Sequence, residues 1–338
     1  MYFENVSIIG MGCVDAPHRI SSASIEEQLK DNILRFGMRP NLIEALTGIS
    51  ARRFWDPGVQ PSDAATMAAS QALENAGLSK EKLGVVISTS VSKDFIEPSV
   101  AALVHGNLGL RPECLNFDIG NACLAFLNAM TIAGNMIERN QIDYALVVCG
   151  ESSRDIVENT LPRLQGPDVE EDYFRARFAT LTLGSGGVAM VLGHSRLAPD
   201  GHRFLGGVSL ADTKHSRLCL GQNHDMTTDA STLLMSGLTL AAKTYERAKA
   251  DQDWDKKDFR QYIMHQVGEV HLRKCAEILG VPHEKVPRIF PEFGNVGPAS
   301  IPVTLAKVAE QGEIQAGDRV ALMGIGSGIN CSMMEVIW

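Results

Sequence analysis

Cys123 lies in Gly120-Asn121-Ala122-Cys123-Leu124-Ala125-Phe126, where a strand gives way to a helical pattern that runs to about Arg139. The backbone N–H groups of a helix's first turn have no partners, and the helix dipole is positive there. A thiol at that end is expected to be held as thiolate, which suits a nucleophile. A packed structural cysteine is the plain alternative, because free cysteine is among the most buried residue types. Two distant residues could complete a site. His265 closes the apolar run Tyr262-Ile263-Met264, so it sits at the carboxyl end of a strand, where open α/β sheets place their chemistry. Asn295, in Phe293-Gly294-Asn295-Val296-Gly297-Pro298, occupies a turn that matches the one holding Asn121. Alone, the first reads equally as a satisfied structural histidine and the second as a turn residue.

The elements that must position these groups come as a repeat. Gly120-Asn121 opens a helix leading to the strand Asp143 to Val148, and Gly294-Asn295 opens one leading to the strand Asp318 to Met323. Upstream lie the apolar runs Leu83 to Val91 and Gln261 to His265. Strand, helix, strand at these separations predicts parallel pairing with right-handed crossovers. The chain reads as two similar α/β halves, residues 1–195 carrying the cysteine and 196–338 carrying His265 and Asn295, joined near Ser195 to Gly207. The charged stretch 152–178 reads as a helical insertion broken by Pro162 and Gly166-Pro167; it could cap a cavity or form a solvated hairpin. Near the end, Gly324-Ile325-Gly326-Ser327-Gly328 follows a strand. A dinucleotide site is rejected there, because only the strand-like tail Asn330 to Trp338 follows, and no helix N-terminus is left to hold a pyrophosphate. A loop of such small residues suits close backbone approach to a reacting oxygen.

Composition narrows the class. With 338 residues and 45% hydrophobic content the chain can bury a large core, and its net charge of −9 argues against a nucleic-acid binder. No basic leader precedes an apolar run and no stretch has membrane-spanning length, so neither a signal peptide nor a transmembrane helix is expected. Seven cysteines without a C-x-x-C pair fit reduced thiols in a cytoplasmic protein. The nine histidines include no H-x-x-x-H, and no metal is expected.

Asn121-Ala122-Cys123, Met264-His265-Gln266, Gly294-Asn295 and the terminal glycine loop stand in the order and spacing of the thiolase superfamily. More narrowly, the chain resembles its ketoacyl synthase III branch. The likeness runs from Asp15-Ala16-Pro17-His18 through Ala51-Arg52-Arg53 and Ser62-Asp63-Ala64-Ala65 to Gly326-Ser327-Gly328-Ile329-Asn330-Cys331-Ser332-Met333. It implies the thiolase fold, two pseudo-duplicated α/β halves in α-β-α-β-α layers, and an acyltransferase with Cys123 as nucleophile. His265 and Asn295 would stabilise a thioester oxygen, and the backbone N–H groups of Cys123 and Ser327 a tetrahedral oxyanion. Coenzyme A is then a substrate carrier, with no other cofactor.

Glu97, in Ser92-Lys93-Asp94-Phe95-Ile96-Glu97-Pro98-Ser99, separates the readings. Typical ketoacyl synthase III members carry an apolar residue here and decarboxylate a malonyl thioester. A carboxylate instead resembles the members that join two long-chain acyl-CoA molecules head to head, where a base must remove an α-proton. That reaction gives a 2-alkyl-3-oxo acid and opens long-chain olefin or ketone synthesis, with later enzymes of that route as partners. The resemblance also implies a homodimer in which Glu97 serves the partner's site. On residues alone Glu97 is a solvated group before a helix begun by Pro98. The alternatives are a decarboxylating synthase of fatty-acid or polyketide synthesis, and an inactive acyl-binding or dimer-partner homologue. Degradative thiolases use a second cysteine, but Cys331 follows the glycines and reads as packed. The family's nucleotide-contacting Trp and Arg are replaced by Leu42 and Leu46, which leaves Arg52 and Arg53 as candidates for the phosphates of CoA. An acyl carrier protein donor also stays open.

Overall fold

Nine strands form one mixed sheet in the computed structural model, which describes residues 2–338. From edge to edge they are Phe259–Met264, Arg319–Gly326, Asn330–Ile337, His202–Ala211, Val6–Asp15, Gly186–His194, Tyr144–Glu151, Val85–Ser88 and Leu115–Asp118. Parallel pairing joins the strand–helix–strand units, Val85–Ser88 with Tyr144–Glu151 and Phe259–Met264 with Arg319–Gly326, and also the edge strand Leu115–Asp118. The remaining joints are antiparallel, so the parallel sheet expected from sequence is corrected to a mixed one. The reason is local at the end of the chain: only a short loop separates Arg319–Gly326 from Asn330–Ile337, and a short loop permits antiparallel return alone.

The sheet's seam is thin. Val6–Asp15 meets His202–Ala211 through Ser7 with Arg203 and Ile8 with His202. Outward from that seam the same succession of directions, antiparallel, antiparallel, parallel, recurs on both sides. The first side adds the edge strand Leu115–Asp118, which feeds the cysteine turn.

Two helices fill the middle layer. In Ala125–Glu138 nine of fourteen residues are buried, and that breadth of apolar surface marks a helix covered on several sides. With Ser300–Glu310 it shares one core: Phe126, Met130, Ile301 and Leu305 pack with Val147, Val188, Leu322 and Val336, strand residues from both sides of the seam. Each large side chain so buried contributes about 1.5–3 kcal/mol, so this layer ties the two sides together. Outside the sheet, Ala65, Ala68, Ala69 and Ala72 of Pro61–Asn75 pack on Val86, Val148 and Val191. On the other side Ala230–Gln252 and Glu269–Leu279 cover Tyr262, Val208 and Met333. The outcome is the layered α-β-α-β-α arrangement.

The stretch 152–178 forms two helices, Arg154–Gln165 and Glu171–Arg177. Pro162 lies inside the first, and the break falls at Gly166. Val157, Leu161, Leu164 and Phe174 are buried against Ile25, Leu29 and Ile33 of the helix Ser22–Arg35, so it is not a solvated hairpin. Ser152, Ser153, Asp155 and Ile156 line the cavity described next.

Candidate active site

The edge strand Leu115–Asp118 leads through Gly120 and Asn121 to a tight helical turn, Ala122–Leu124, which runs straight into Ala125–Glu138. Ala122 has φ of 46°, a left-handed conformation that costs a non-glycine residue on the order of 1–3 kcal/mol. Neighbours hold it there. The Asn121 side chain donates from Nδ2 to Asn128 Oδ1 at 2.7 Å and accepts at Oδ1 from Asn330 Nδ2 at 3.1 Å. Leu124 presses on Gly324, where an added Cβ would stand 2.4 Å from Leu124 Cδ2. The terminal glycine loop therefore does allow the close approach read from sequence.

His265 leaves the strand Phe259–Met264 with its N–H donating to Met323 O at 2.8 Å. Its neighbour Gln266 is fully buried and spends its whole amide on structure. Nε2 donates to Pro287 O (2.9 Å) and Thr304 Oγ1 (3.3 Å), while Oε1 accepts from the N–H groups of Ile289 (2.8 Å) and Phe290 (3.0 Å). That amide ties the histidine's strand end to the segment leading into Asn295. Asn295 in turn donates its N–H to Thr182 O and accepts at its carbonyl from Gly184 N, both at 2.9 Å. Its Oδ1 accepts from Gly297 N at 3.0 Å, which leaves Nδ2 as the group offered to a ligand.

Cys123, His265, Asn295 and Ser327 line one cavity of about 740 Å³. Cys123 keeps part of its surface open to that space. Burial pushes the thiol up to about 12, with Cys219 and Glu151 adding to the rise and its own backbone hydrogen bond opposing it. The thiolate expected from the helix dipole is thereby corrected: desolvation outweighs a terminus worth roughly 0.3–2 kcal/mol, and the resting group is a thiol. Burial, with His271 nearby, pulls His265 down to about 4, so its imidazole is neutral. His265 Nδ1 is buried and has no hydrogen-bond partner among the described residues.

Other expected residues fall elsewhere. Glu97 is exposed and lies outside the cavity wall, between Ile96, 96% exposed, and Pro98. Pro98 does not begin a helix: Val100–Leu108 starts later, capped by Ser99, and Asp118 accepts from its Val100 and Ala101 N–H groups. Arg52 cannot meet a phosphate from solvent. It is fully buried and donates to Ile20 O at 3.3 Å and Ser22 Oγ at 3.1 Å. Arg53 stacks 5.5 Å from the centre of the Phe293 ring, and neither arginine lines the cavity. Cys331 is buried. Among the described residues no His/Cys/Asp/Glu group suits a metal ion, and no helix is long and apolar enough to cross a membrane.

Sequence reasoning missed Glu151. It ends the strand Tyr144–Glu151, lines the cavity, and is pushed up to about 7 by burial against the hydrogen bonds that pull it down. The reading ended that strand at Val148; a full account of its eight residues would have placed a carboxylate at its carboxyl end.

Comparison with known proteins agrees with this geometry. Residues 117–212 match the family model of 3-oxoacyl-[acyl-carrier-protein (ACP)] synthase III, and residues 250–338 match its C-terminal model. The chain is 48% identical over 338 residues to an acyl-CoA:acyl-CoA alkyltransferase of Xanthomonas campestris pv. campestris, covering 100% of both. It is 35% identical over 350 residues to one of Shewanella oneidensis, again covering 100% of both. A solved structure of a Cys-to-Ser variant of Xanthomonas campestris OleA, with bound lauric acid and lauroyl-CoA, superposes with a TM-score of 0.98 at 48% identity, over 99% of this chain and 100% of that one. With this fold and these matches, the chain belongs to the 3-oxoacyl-[acyl-carrier-protein] synthase III family of the thiolase superfamily.

Proposed function

We propose that the protein joins two long-chain acyl-CoA molecules by a Claisen condensation without decarboxylation, giving a 2-alkyl-3-oxo acid. The observation that carries this is the meeting of a nucleophilic sulfur, a neutral imidazole and a free amide donor in one cavity, together with full-length likeness to acyl-CoA:acyl-CoA alkyltransferases. Cys123 sulfur attacks the first acyl-CoA, and the proton it loses ends on the departing CoA sulfur. One thioester replaces another, so the exchange is close to isoenergetic. A second acyl-CoA then enters. Glu97 takes its α-proton while His265 Nε2 and Asn295 Nδ2 stabilise the charge gathering on the thioester oxygen. The carbanion attacks the acyl group on Cys123, the backbone N–H groups of Cys123 and Ser327 bind the oxyanion, and the thiolate of Cys123 leaves. Water cleaves the remaining CoA thioester to release the acid.

Glu97 acts across a homodimer in this reading. Phe95 and Ile96 beside it are 56% and 96% exposed, a pair of apolar side chains that a partner subunit would cover. The setting is the cytoplasm, the only cofactor is the CoA carried by the substrates, and enzymes that reduce or cyclise the oxo acid toward olefins are the downstream partners.

Lauroyl-CoA alone should leave one acyl mass on Cys123 and yield the condensed oxo acid, and Cys123→Ala should abolish both. Glu97→Gln should still acylate Cys123 but fail to condense. Product only when a malonyl thioester is added would replace this reading with the decarboxylating synthase.

A further inference from the structure

We propose that Glu151 is a positioning residue for the condensation step: its carboxyl group, set in the wall of the Cys123 cavity, fixes the root of the loop 91–98 and thereby aims Glu97 at the loop's tip. This rests on the reading of Glu97 as base.

The loop is tightly held at its root and free at its tip. Glu151 accepts from Val91 N at 2.6 Å and, on its other oxygen, from Ser92 N at 3.2 Å and Ser92 Oγ at 2.9 Å. Ser92 Oγ also accepts from Ser152 N at 3.0 Å, so the hydroxyl links the carboxyl group to the chain beyond it. Lys93 pairs with Asp118, and Asp94 accepts from Ser62 Oγ at 2.5 Å. After these anchors, Phe95, Ile96 and Glu97 are exposed. Of the three carboxyl groups that anchor the loop, Glu151, Asp118 and Asp94, Glu151 alone is buried, at 7% exposure.

Its second neighbour gives the position meaning. A Cβ built on Gly297 would stand 3.7 Å from the Glu151 carboxyl carbon, and Gly297 N is the donor that fixes the Asn295 side chain. One buried carboxyl group thus binds the root of the base's loop and lies beside the turn that supplies a donor to the second substrate. A buried carboxylate is a costly strut unless every oxygen is hydrogen-bonded, and both oxygens of this one are. Glutamine at this position would turn an NH2 group toward the N–H donors of Val91 or Ser92, and the root would shift. Displacements of about 1 Å near reacting groups can cost on the order of 100-fold in rate.

The test separates the two half-reactions with lauroyl-CoA. Glu151→Gln should acylate Cys123 at least as fast as the parent, because a charge that raises the thiol is gone, while condensation falls roughly 10- to 100-fold, with Glu151→Asp recovering part of the loss. Ser92→Ala, which removes one donor and leaves the buried carboxyl group, should lower condensation in the same direction by less. It also serves if Glu151→Gln does not fold. Hydrogen exchange over residues 91–98 should quicken in both. Equal loss of acylation and condensation, or unchanged condensation, would each overturn the proposal. Survival of condensation in Glu97→Gln alone would instead end the reading of the base, and the proposal with it.

Discussion

Asn121 and Asn295 follow glycines in matching turns, yet the molecule uses their amides in opposite ways. Asn121 commits both ends of its side chain, Nδ2 to Asn128 and Oδ1 to Asn330, so it braces the cysteine turn while lining the same cavity. Asn295 commits only its oxygen, to Gly297 N, and keeps two N–H donors for the cavity. A repeated Gly-Asn turn is therefore a scaffold on one side and a ligand-facing group on the other. What separates them is the partner each oxygen finds: a side-chain amide across the fold for Asn121, and the backbone two residues on for Asn295.

That contrast can be broken by substitution. Asn295→Ala removes the donor proposed to face a developing charge, and condensation should fall on the order of 100- to 1000-fold, read as oxo acid formed per acylated enzyme. Folding should be nearly untouched, and a drop in melting temperature without a loss of rate would reverse the assignment. Asn121→Ala should do the opposite. Losing two hydrogen bonds of about 1 kcal/mol each predicts roughly 2 kcal/mol less stability in a denaturant titration, with acylation reduced far less than condensation is by Asn295→Ala. Equal kinetic damage would mean that both amides face substrate.

The smallest effect is a shape rather than a size. The thiol of Cys123 lies near 12 and His265 near 4, so between about pH 6 and 9 the first is protonated and the second neutral throughout. Single-turnover acylation should rise smoothly with pH in that window, as the thiolate fraction grows. An inflection near the ordinary imidazole value of 6.5 would show His265 titrating as an exposed group does.

Much of this was legible in the chain. Glycine and asparagine mark both turns, His265 follows an apolar strand, and the spacing of the strand–helix–strand units identified the two parallel joints they form. Pairing directions elsewhere depend on which strands become neighbours, and no local pattern carries that. Arg52 illustrates a second limit: Ala51-Arg52-Arg53-Phe54 looks like a basic surface strand, but the fold turns Arg52 inward to Ser22. The thiol's charge state was hidden for a related reason. A helix terminus can be read from sequence, whereas the burial that outweighs it, and the nearby Cys219 and Glu151 that add to the rise, come from parts of the chain far from Cys123 in sequence.

Ala122 carries a consequence of its own. A methyl-bearing residue in a mirror-handed bend works like a cocked spring immediately ahead of the sulfur. Glycine there would relax the bend and let the Cys123 sulfur wander, while a β-branched side chain would not tolerate the bend at all. The sulfur's position depends on keeping the smallest side chain that still restricts the backbone, so the residue before Cys123 is constrained almost as narrowly as the cysteine itself.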